Sequence, residues 1–273
     1  MPSSPKIPSP IATARAPTVL VTGAAKRLGR DIALALAAAG WRVAVHYRDS
    51  VEDARRTVAQ CSALTPGAAS FRSNLGNETA VRNLLPTVIA EFGQVDAVVN
   101  CASTFEQDTP ATFSFEAMEK HMRSNAGAAI LLSQALHTHI GKRRASEPLL
   151  TGVVVNLLDQ KIWNKAPDLV SYTLSKAALD AANTLLAVAL QPLVRVVGVA
   201  PEVAARGPLL KGEKLAERQP EHSDTNTPKP DATAAVLLAL QDSSLTATTL
   251  LVEDGPSAAH TVASAASHKG SNV

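Results

Sequence analysis

The sequence predicts a single doubly wound α/β domain, in which helices cover both faces of a parallel sheet. From Thr18 onward, short apolar segments alternate with segments of helical periodicity, which is the order that βαβ units produce. The chain has 273 residues, a length that suits one domain of this class. Hydrophobic residues make up 46% of the chain, enough for the large core that a sheet buried on both faces requires.

The predicted strands are short apolar runs that contain β-branched residues and end in loops. The first run leads into a loop that contains glycines. The third run has the weakest strand pattern of the seven. In chain order they are TVLVTG (18–23), WRVAVHY (41–47), ASFRSN (69–74), QVDAVVNCA (94–102), TGVVVNLL (151–158), VRVVGVA (194–200) and ATTLLVEDG (247–255).

Helical segments separate these seven strands. The first is rich in helix-forming residues and stops at Gly40. The segment at 114–140 is long enough for one long helix or two abutting helices. After Pro201 the regular pattern fails until residue 231. The predicted helices are 30–40, 51–64, 77–93, 114–140, 169–190 and 231–241.

The two ends of the chain differ in composition from the domain between them. Residues 1–17 are proline-rich and lack the apolar segment of a secretory signal, so we expect a disordered N-terminal tail. Residues 18–255 form the single predicted domain. Residues 256–273 are small and polar, and we expect them to be a flexible tail.

Charge and cysteine content restrict the expected partners. The formal net charge of +2 gives no reason to expect a nucleic acid or an acidic membrane surface as partner. No apolar run approaches the ~18 residues that a membrane span needs. Cys61 and Cys101 cannot form a disulfide framework and suit a reducing compartment. We therefore expect a cytoplasmic protein that binds neither nucleic acid nor membrane.

A loop with two glycines, TGAAKRLGR (22–30), joins the first strand to the first helix. Gly23 and Gly29 permit a tight turn and a close backbone approach, and the helix N-terminus can hold a pyrophosphate. The alternative is a simple helix-entry turn. Arg27 lies where a third glycine is expected, and its guanidinium suits a phosphate.

The end of the second strand indicates which nicotinamide cofactor is bound. Enzymes that prefer the non-phosphorylated cofactor usually carry an acid there, which holds the ribose 2′-hydroxyl. Here the strand ends in His46 and Tyr47, followed by Arg48 and nearby Ser50. A cation and a hydroxyl suit a 2′-phosphate. The sequence therefore favours NADP(H) over NAD(H), although Asp49 also lies in this stretch.

Tyr172 and Lys176 are one turn apart on a predicted helix and share a face. An ammonium close to a phenol favours the phenolate, so we expect Lys176 to lower the pKa of Tyr172. Asp159 ends the fifth predicted strand. A parallel sheet binds its ligands outside the carboxyl ends of its strands, which is where these residues are expected.

On these motifs the chain resembles the short-chain dehydrogenase/reductase family over residues 18–255. The resemblance implies a Rossmann fold with a parallel seven-stranded sheet. The family's glycine loop, strand-end Asn-Asn-Ala-Gly, helix asparagine and Tyr-x-x-x-Lys correspond to Thr22, Gly23, Gly29, "NCAS" (100–103), Asn125, Tyr172 and Lys176. The departures are Arg27 for the middle glycine, Cys101, Ser103, Asp159 for the catalytic serine, and Glu202 after Pro201.

These departures resemble the pteridine reductase branch of the family, and they imply specific roles. By this resemblance the catalytic residues are Asp159, Tyr172, Lys176 and Asn125, and the substrate residues are Arg27, Ser103, Phe105, Asp159 and Tyr172. The implied NADPH-binding residues are Gly23, Arg27, Leu28, Gly29, His46, Tyr47, Arg48, Ser50, Asn74, Leu75, Asn100, Ala102, Ser103, Lys176 and Pro201.

The resemblance implies an NADPH-dependent reductase that acts on a pterin-like C=N bond. Phe105 is expected to stack on the pterin, Lys176 to hold the nicotinamide ribose and Asn125 to position a water. Asp159 is expected to hold or relay a proton with Tyr172, because a heterocycle gains a proton on nitrogen as hydride reaches carbon.

Further expectations from the resemblance concern the substrate cover, the assembly and competing functions. Residues 205–229 are expected to cover the substrate, and the chain is expected to form a homotetramer. A carbonyl reductase acting on another small substrate and a non-catalytic NADP(H)-binding protein remain as alternative readings.

Overall fold

A computed structural model describes residues 15–65, 67–163, 167–201 and 232–252, together with the backbone of a strand at 261–263. Its strands are β1 (Thr18–Val21), β2 (Arg42–Tyr47), β3 (Ala68–Arg72), β4 (Ala97–Asn100), β5 (Gly152–Leu157), β6 (Val194–Pro201), β7 (Thr248–Val252) and β8 (Thr261–Ala263). They form one sheet in the order β3-β2-β1-β4-β5-β6-β7-β8. The strands β1 to β7 pair in parallel, which confirms the predicted seven-stranded parallel sheet.

Helices cover both faces of this sheet and bury two apolar layers. The helices are α1 (Arg27–Ala38), α2 (Val51–Ser62), α3 (Glu78–Phe92), α4 (Phe115–His121), α5 (Ala128–Arg143), α6 (Val170–Ala189) and α7 (Ala232–Gln241). One layer packs α1, α2 and α7 against the sheet, with Ile32, Leu36 and Val236 fully buried. The other packs α3, α5 and α6, with Leu132 and Leu136 fully buried.

The register of the sheet brings four loops to one edge. Val21 of β1 lies beside Val45 of β2 on one side and Val99 of β4 on the other. Asn100 of β4 lies beside Asn156 of β5. The strand order reverses at β1, because β2 and β4 flank it, and ligands of such sheets bind in the crevice at this reversal. The predicted glycine loop therefore opens into the crevice.

The segment predicted as one long or two abutting helices has an irregular centre. A π-helical segment, Met122–Gly127, lies between α4 and α5. Short π-helical segments interrupt α-helices frequently at functional sites. This one contains Asn125, and its wider turn carries the Asn125 side chain toward the loop after β4.

The chain ends differ from the expected boundaries in two places. The strand β8 lies within the predicted tail at 256–273 and pairs antiparallel with β7. At the other end, the predicted N-terminal tail includes Arg15, Ala16 and Pro17, which the structure describes. The backbone N–H of Arg42 donates to the Pro17 carbonyl at 2.8 Å. Residues 1–14 lie outside the described part of the chain.

Candidate active site

The loop after β1 is held tightly against the loop after β4. The hydroxyl oxygen of Thr22 accepts hydrogen bonds from the backbone N–H groups of Cys101 and Ala102, each at 3.0 Å. Gly23 has φ +67°, and a Cβ built there lies 2.8 Å from the Cα of Ala102. Only glycine permits both this backbone conformation and this close approach.

The second glycine of the loop is equally constrained, and Arg27 adopts a backbone conformation typical of glycine. A Cβ built on Gly29 lies 2.3 Å from the carbonyl oxygen of Gly23. Arg27 has φ 56°, in the left-handed region that costs a non-glycine residue on the order of 1 kcal/mol. Its side chain is exposed at the start of α1, and Leu28 packs at the margin of the core.

The N-terminus of α1 offers backbone donors to an anion. Lys26 at its N-cap makes no side-chain capping hydrogen bond, and the first turn contains no acidic residue. The first N–H groups of a helix have no partner within it, and the helix dipole favours negative charge at this end. The donor set therefore fits a dinucleotide pyrophosphate.

His46 supports the glycine loop through its imidazole ring. Its ring is 2% exposed. Nδ1 accepts a hydrogen bond from the Gly23 N–H at 3.0 Å, so Nε2 carries the proton and donates to the Ser73 carbonyl at 3.1 Å. Burial lowers the pKa of His46 to about 4, and the ring is neutral at pH 7. Both ring nitrogens are therefore engaged by protein groups, and a direct contact between His46 and the cofactor stays a prediction.

Arg48 is exposed, and its side chain forms an ion pair with Asp49. Its Nε lies 2.6 Å from an Asp49 carboxylate oxygen, with the two side chains 60% and 65% exposed. Exposed ion pairs of this kind contribute only about 0–1 kcal/mol, so a phosphate can displace Asp49. The hydroxyl of Ser50 makes no capping hydrogen bond at the start of α2, and it also lies at this strand end.

Arg48 and Asn74 together line two depressions beside the ends of β2 and β3. The first has a volume of about 780 Å³ and extends along α3. The second has a volume of about 370 Å³ and reaches the π-helical segment at Ser124. Asp159 and Tyr172 line neither depression.

The remaining residues predicted to bind the cofactor differ in the solvent exposure of their side chains. Asn74 is exposed and accepts the Gly76 N–H at 3.0 Å. Leu75 is buried, and its side chain packs in the core. Tyr47 and Ala102 are partly buried, and Pro201 ends β6 beside Val252. Glu202 and the expected substrate cover at 205–229 lie outside the described residues.

A chain of three amides runs under the site, and only its first member was predicted. Nδ2 of Asn100 donates to Oδ1 of Asn156 at 2.8 Å, and Nδ2 of Asn156 donates to Oδ1 of Asn183 at 3.0 Å. All three side chains are buried. The chain ties β4, β5 and α6 together, and it engages the amide nitrogen of Asn100.

Asp159 and Tyr172 form a buried hydrogen-bonded pair. The Tyr172 hydroxyl donates to Oδ2 of Asp159 at 2.6 Å. Oδ1 of Asp159 accepts the backbone N–H of Lys161 at 2.8 Å, which starts a single 3₁₀ turn, Gln160–Ile162. Asp159 is fully buried and Tyr172 is 5% exposed. The two residues predicted to share a proton are thus in direct contact.

The protonation of Tyr172 differs from the expectation. Burial raises the pKa of Tyr172 well above its usual value, and the neighbouring Asp159 carboxylate raises it further, while a hydrogen bond with Ser103 lowers it. Lys176 does not produce the predicted lowering. Burial lowers the pKa of Lys176 itself, and its ammonium donates to the Leu157 carbonyl at 2.7 Å. In this state Tyr172 is a hydrogen-bond donor and not a phenolate.

Asn125 is a clamp between the loop after β4 and α6. Its Oδ1 accepts the Thr104 N–H at 2.7 Å, and its Nδ2 donates to the Thr104 carbonyl and to the Ser175 hydroxyl, each at 2.9 Å. Because Thr104 N–H can only donate, the orientation of the amide is determined by its partners. The amide is therefore engaged by protein groups, and the water that the resemblance implies beside Asn125 stays a prediction.

Asp108 anchors the start of the catalytic helix, and sequence patterns gave no sign of it. Its buried carboxylate accepts the Ser171 N–H at 2.9 Å and the Ser171 hydroxyl at 2.5 Å. The Asp108 carbonyl accepts the Val170 N–H at 3.3 Å. An acid from a distant segment thus caps α6 one residue before Tyr172, where a negative charge stabilises a helix.

Phe105 lies against the catalytic pair. Its ring centroid is 4.7 Å from that of Tyr172, with the rings in an edge-to-face arrangement. The Lys161 ammonium lies 5.4 Å from the Phe105 ring centroid. Phe105 is partly exposed, so a planar molecule can reach the ring. Phe105 and Ser103 therefore form one wall of the crevice that holds Asp159 and Tyr172.

Two classes of site find no support in the described ranges. Within residues 15–65, 67–163, 167–201 and 232–252, no three His, Cys, Asp or Glu side chains are grouped so that they could hold a metal ion. No helix in the same ranges has the length and apolar character to cross a membrane.

Known proteins resemble this chain over most of its length. The family model described as short chain dehydrogenase matches residues 17–213. Pteridine reductase 1 from Leishmania tarentolae is 30% identical over 220 residues, covering 68% of this chain and 76% of that protein. The protein named "Granaticin polyketide synthase putative ketoacyl reductase 2", from Streptomyces violaceoruber, is 28% identical over 88% of this chain and 95% of that protein.

One solved structure is similar to this chain in fold and contains NADP. FolM alternative dihydrofolate reductase 1 from Brucella suis, crystallised in complex with NADP, is similar with a TM-score of 0.71 and 27% identity. The similarity covers 87% of this chain and 93% of that one.

Proposed function

Because this chain belongs to the short-chain dehydrogenase family, we propose that it is an NADPH-dependent reductase that adds hydride to a C=N bond of a pterin-like substrate. The observation that carries the proposal is the buried 2.6 Å hydrogen bond between Tyr172 and Asp159. The similarity to pteridine reductase 1 and to FolM alternative dihydrofolate reductase supports it. Family membership alone supports the coarser statement, an oxidoreductase.

The described residues fit NADPH. The N-terminus of α1 has no capping side chain, and the glycines beside it leave the backbone accessible to a pyrophosphate. Arg48 and Ser50 lie at the strand end where a 2′-phosphate is recognised, and Arg27 adds an exposed guanidinium to the same loop. The cofactor named with the FolM structure agrees with this donor set.

Reduction of C=N requires a hydride at carbon and a proton at nitrogen. Bound NADPH supplies the hydride. Tyr172 and Asp159 hold the proton that the nitrogen takes up, because the phenol donates its hydrogen to the carboxylate and both side chains are buried. Ser103 is exposed, and its hydroxyl lowers the pKa of Tyr172, so we assign Ser103 to the solvent side of the pair, from which the pair is reprotonated. Lys176 and Asn125 fix the position of α6 relative to the strand ends.

Asp159 distinguishes a C=N substrate from a simple ketone. A serine hydroxyl can donate a hydrogen bond to a developing alkoxide, whereas an ionised carboxylate only accepts. A pterin ring presents N–H groups, from which a carboxylate can accept hydrogen bonds. It also presents ring nitrogens, which a protonated carboxyl can protonate. Phe105, beside the pair, offers a face on which a planar heterocycle stacks.

A ketone reductase is the second candidate, because the granaticin ketoacyl reductase is similar over nearly the whole chain. The test is NADPH oxidation by purified protein with a panel of dihydropterins, dihydrofolate and small ketones. Turnover of pterins but not ketones supports the proposal, and the reverse supports the ketone reductase. A protein that binds NADPH and reduces nothing on the panel would be a non-catalytic cofactor binder.

Redox sensing by a non-catalytic NADP(H)-binding protein would require a reactive thiol, and Cys101 is the cysteine nearest the site. Burial raises the pKa of Cys101 to about 11. The thiolate is the reactive form of cysteine, so this thiol is largely unreactive at neutral pH. The site chemistry therefore gives little support to redox sensing through Cys101.

We further propose a homotetramer located in the cytoplasm. Leu174, Leu185 and Val188 lie on one face of α6 and are 49%, 70% and 71% exposed. An apolar helix face of this kind is typical of a subunit interface. Both cysteines are free thiols, which is consistent with a reducing compartment.

A further inference from the structure

Lys161 is a cation beside the proposed substrate site that the proposed reaction does not use. Its backbone N–H donates to Asp159, which fixes the start of its side chain next to the catalytic pair. Its ammonium lies 5.4 Å from the Phe105 ring centroid, and Phe105 contacts Tyr172. One aromatic ring therefore separates this charge from the reacting groups.

The Lys161 ammonium has no carboxylate within ion-pair distance among the residues that the structure describes. Lys120, on α4, provides a contrast, since it pairs with Glu106 at 2.5 Å. The interaction that Lys161 does make, with the face of an aromatic ring, contributes about 0.5–1 kcal/mol at a partly exposed position. A charge-assisted hydrogen bond contributes about 1.5–3 kcal/mol, so an oxyanion is the preferred partner.

The substrate ring and the ammonium compete for Phe105. A planar heterocycle that stacks on Phe105 displaces the ammonium from the ring or confines it to the ring's margin. The lysine stem has four rotatable carbons, and Lys161 is only partly buried, so the ammonium can follow a substituent that leads away from the heterocycle. An oxyanion on that substituent gives the displaced charge a partner.

We propose that Lys161 binds an oxyanion, a carboxylate or a phosphate, on the side chain of the pterin-like substrate. The proposal rests on the proposed function, because it needs a planar substrate on Phe105. It narrows the substrate class to pterins whose side chain is acidic. Lys161 is a specificity residue in this role and takes no part in hydride or proton transfer.

The test compares three substrates with Lys161→Met, which keeps an unbranched apolar chain, and Lys161→Arg, which keeps the charge. Dihydrobiopterin has an uncharged side chain, dihydrofolate carries carboxylates and dihydroneopterin phosphate carries a phosphate. We expect Lys161→Met to lower kcat/KM for an acidic substrate by about tenfold or more, mainly through KM. We expect kcat/KM for dihydrobiopterin to change by less than about threefold, because it makes no ion pair, and Lys161→Arg to retain most of the preference.

The two acidic substrates identify the source of the oxyanion. A loss confined to dihydrofolate assigns a carboxylate, a loss confined to the phosphate ester assigns a phosphate, and either supports the proposal. Lys142→Met, at the exposed end of α5, is the matched control and should leave all three substrates unchanged. Raised salt should reduce the wild-type preference, since it screens an exposed pair.

Equal losses for all three substrates would overturn the proposal, because they would mean that the Lys161 side chain supports the site as a whole, through Phe105, and does not recognise an oxyanion. No loss for any substrate would overturn it as well. Both outcomes leave the proposed function standing, since the wild-type enzyme still reduces pterins. A wild-type enzyme that binds NADPH but reduces none of the three substrates would refute the proposed function and this proposal together.

Discussion

Tyr172 donates its hydroxyl hydrogen to Asp159 across 2.6 Å, in a part of the protein closed to solvent. Neither group can change its charge without affecting the other, because each lies in the other's electrostatic field. The phenol is protonated in this state, since burial and the carboxylate both raise its pKa. The two side chains therefore act as one acid–base unit, and the effects of substituting each should not add.

Asp159→Ser separates the two enzymatic candidates. We expect pterin reduction to fall by ~10²–10⁴-fold, the usual contribution of a general acid–base group. A ketone reductase should respond in the opposite direction, because serine restores a donor to a carbonyl oxygen. The measurement is kcat/KM for a dihydropterin and for a ketone, with NADPH affinity measured separately. Full pterin activity together with normal NADPH binding in Asp159→Ser would contradict the assignment.

Tyr172→Phe is the companion variant. It should impair ketone reduction under either candidate function. In the double variant with Asp159→Ser, the loss of kcat/KM for the pterin should be little larger than the greater of the two single losses.

Arg48→Ala should weaken NADPH binding and leave NADH binding nearly unchanged. A charge-assisted contact with the 2′-phosphate contributes about 1.5–3 kcal/mol, or one to two decades in the dissociation constant. The measurement is a binding titration with each cofactor. Arg55→Ala removes an equally exposed arginine from α2 and should change neither constant. Equal losses for NADPH and NADH in Arg48→Ala would show that Arg48 does not contact the 2′-phosphate.

The pH dependence of stability should report the His46 contact with the glycine loop. The pKa of His46 is about 4 in the folded chain against an ordinary value of 6.5. Between these values the unfolded chain binds a proton that the folded chain does not. The free energy of unfolding therefore falls as the pH is lowered from 6.5 toward 4, by up to about 1.4 kcal/mol per pH unit.

His46→Gln should show a shallower slope over that interval than the wild type in urea unfolding experiments. His137→Gln, on α5, serves as the control for a change of histidine content. An identical slope in the wild type and in His46→Gln would mean that another group produces the acid sensitivity.

Asp108→Asn should loosen the N-terminus of α6. The substitution removes a charge that caps the helix, so we expect the free energy of unfolding to fall by about 1–2 kcal/mol. The value of kcat should fall because Tyr172 follows the capped residue, whereas KM for NADPH should hardly change. Ser171→Ala should add little to Asp108→Asn in a double-mutant cycle. Fully additive losses would show that the two residues act separately.

Oligomeric state tests the exposed face of α6. We expect light scattering to give a tetramer for the wild type at micromolar concentration. A double substitution, Leu185→Glu with Val188→Glu, should give a smaller assembly, because charges cannot be buried unpaired in an apolar interface. Leu149→Glu changes a leucine that is 92% exposed outside this face and should keep the tetramer. A monomeric wild type would contradict the proposed assembly.

The features that local pattern predicts agree with the structure. Alternating strands and helices predicted the parallel sheet, and the glycines of the first loop predicted its tight turn. Tyr172 and Lys176 were expected on one helix face, and both lie on α6. The contact between Asp159 and Tyr172 agrees with what the family resemblance implies, and their sharing of a proton stays a prediction. These predictions depend on residues close in sequence or on the ends of parallel strands, which meet at one edge of the sheet.

The features that the sequence did not predict depend on distant partners. Asp108 caps a helix that begins 62 positions later, and Asn156 joins two amides from separate elements. His46 was expected to contact a cofactor. Nothing in the sequence at the end of β2 indicates that Gly23 and Ser73 hydrogen-bond to its two ring nitrogens. We expected a lowered pKa for Tyr172 from the effect of Lys176 alone. In the structure, burial and Asp159 raise that pKa.

The left-handed backbone at Arg27 means that folding stability and anion binding favour different residues at this position. Glycine adopts this conformation without steric cost, so the fold alone would favour glycine. An anion at the start of α1 would favour the guanidinium, which glycine cannot provide. The chain has arginine there, and it therefore gives up some folding stability in every molecule, with or without a ligand, to keep a charge at the turn.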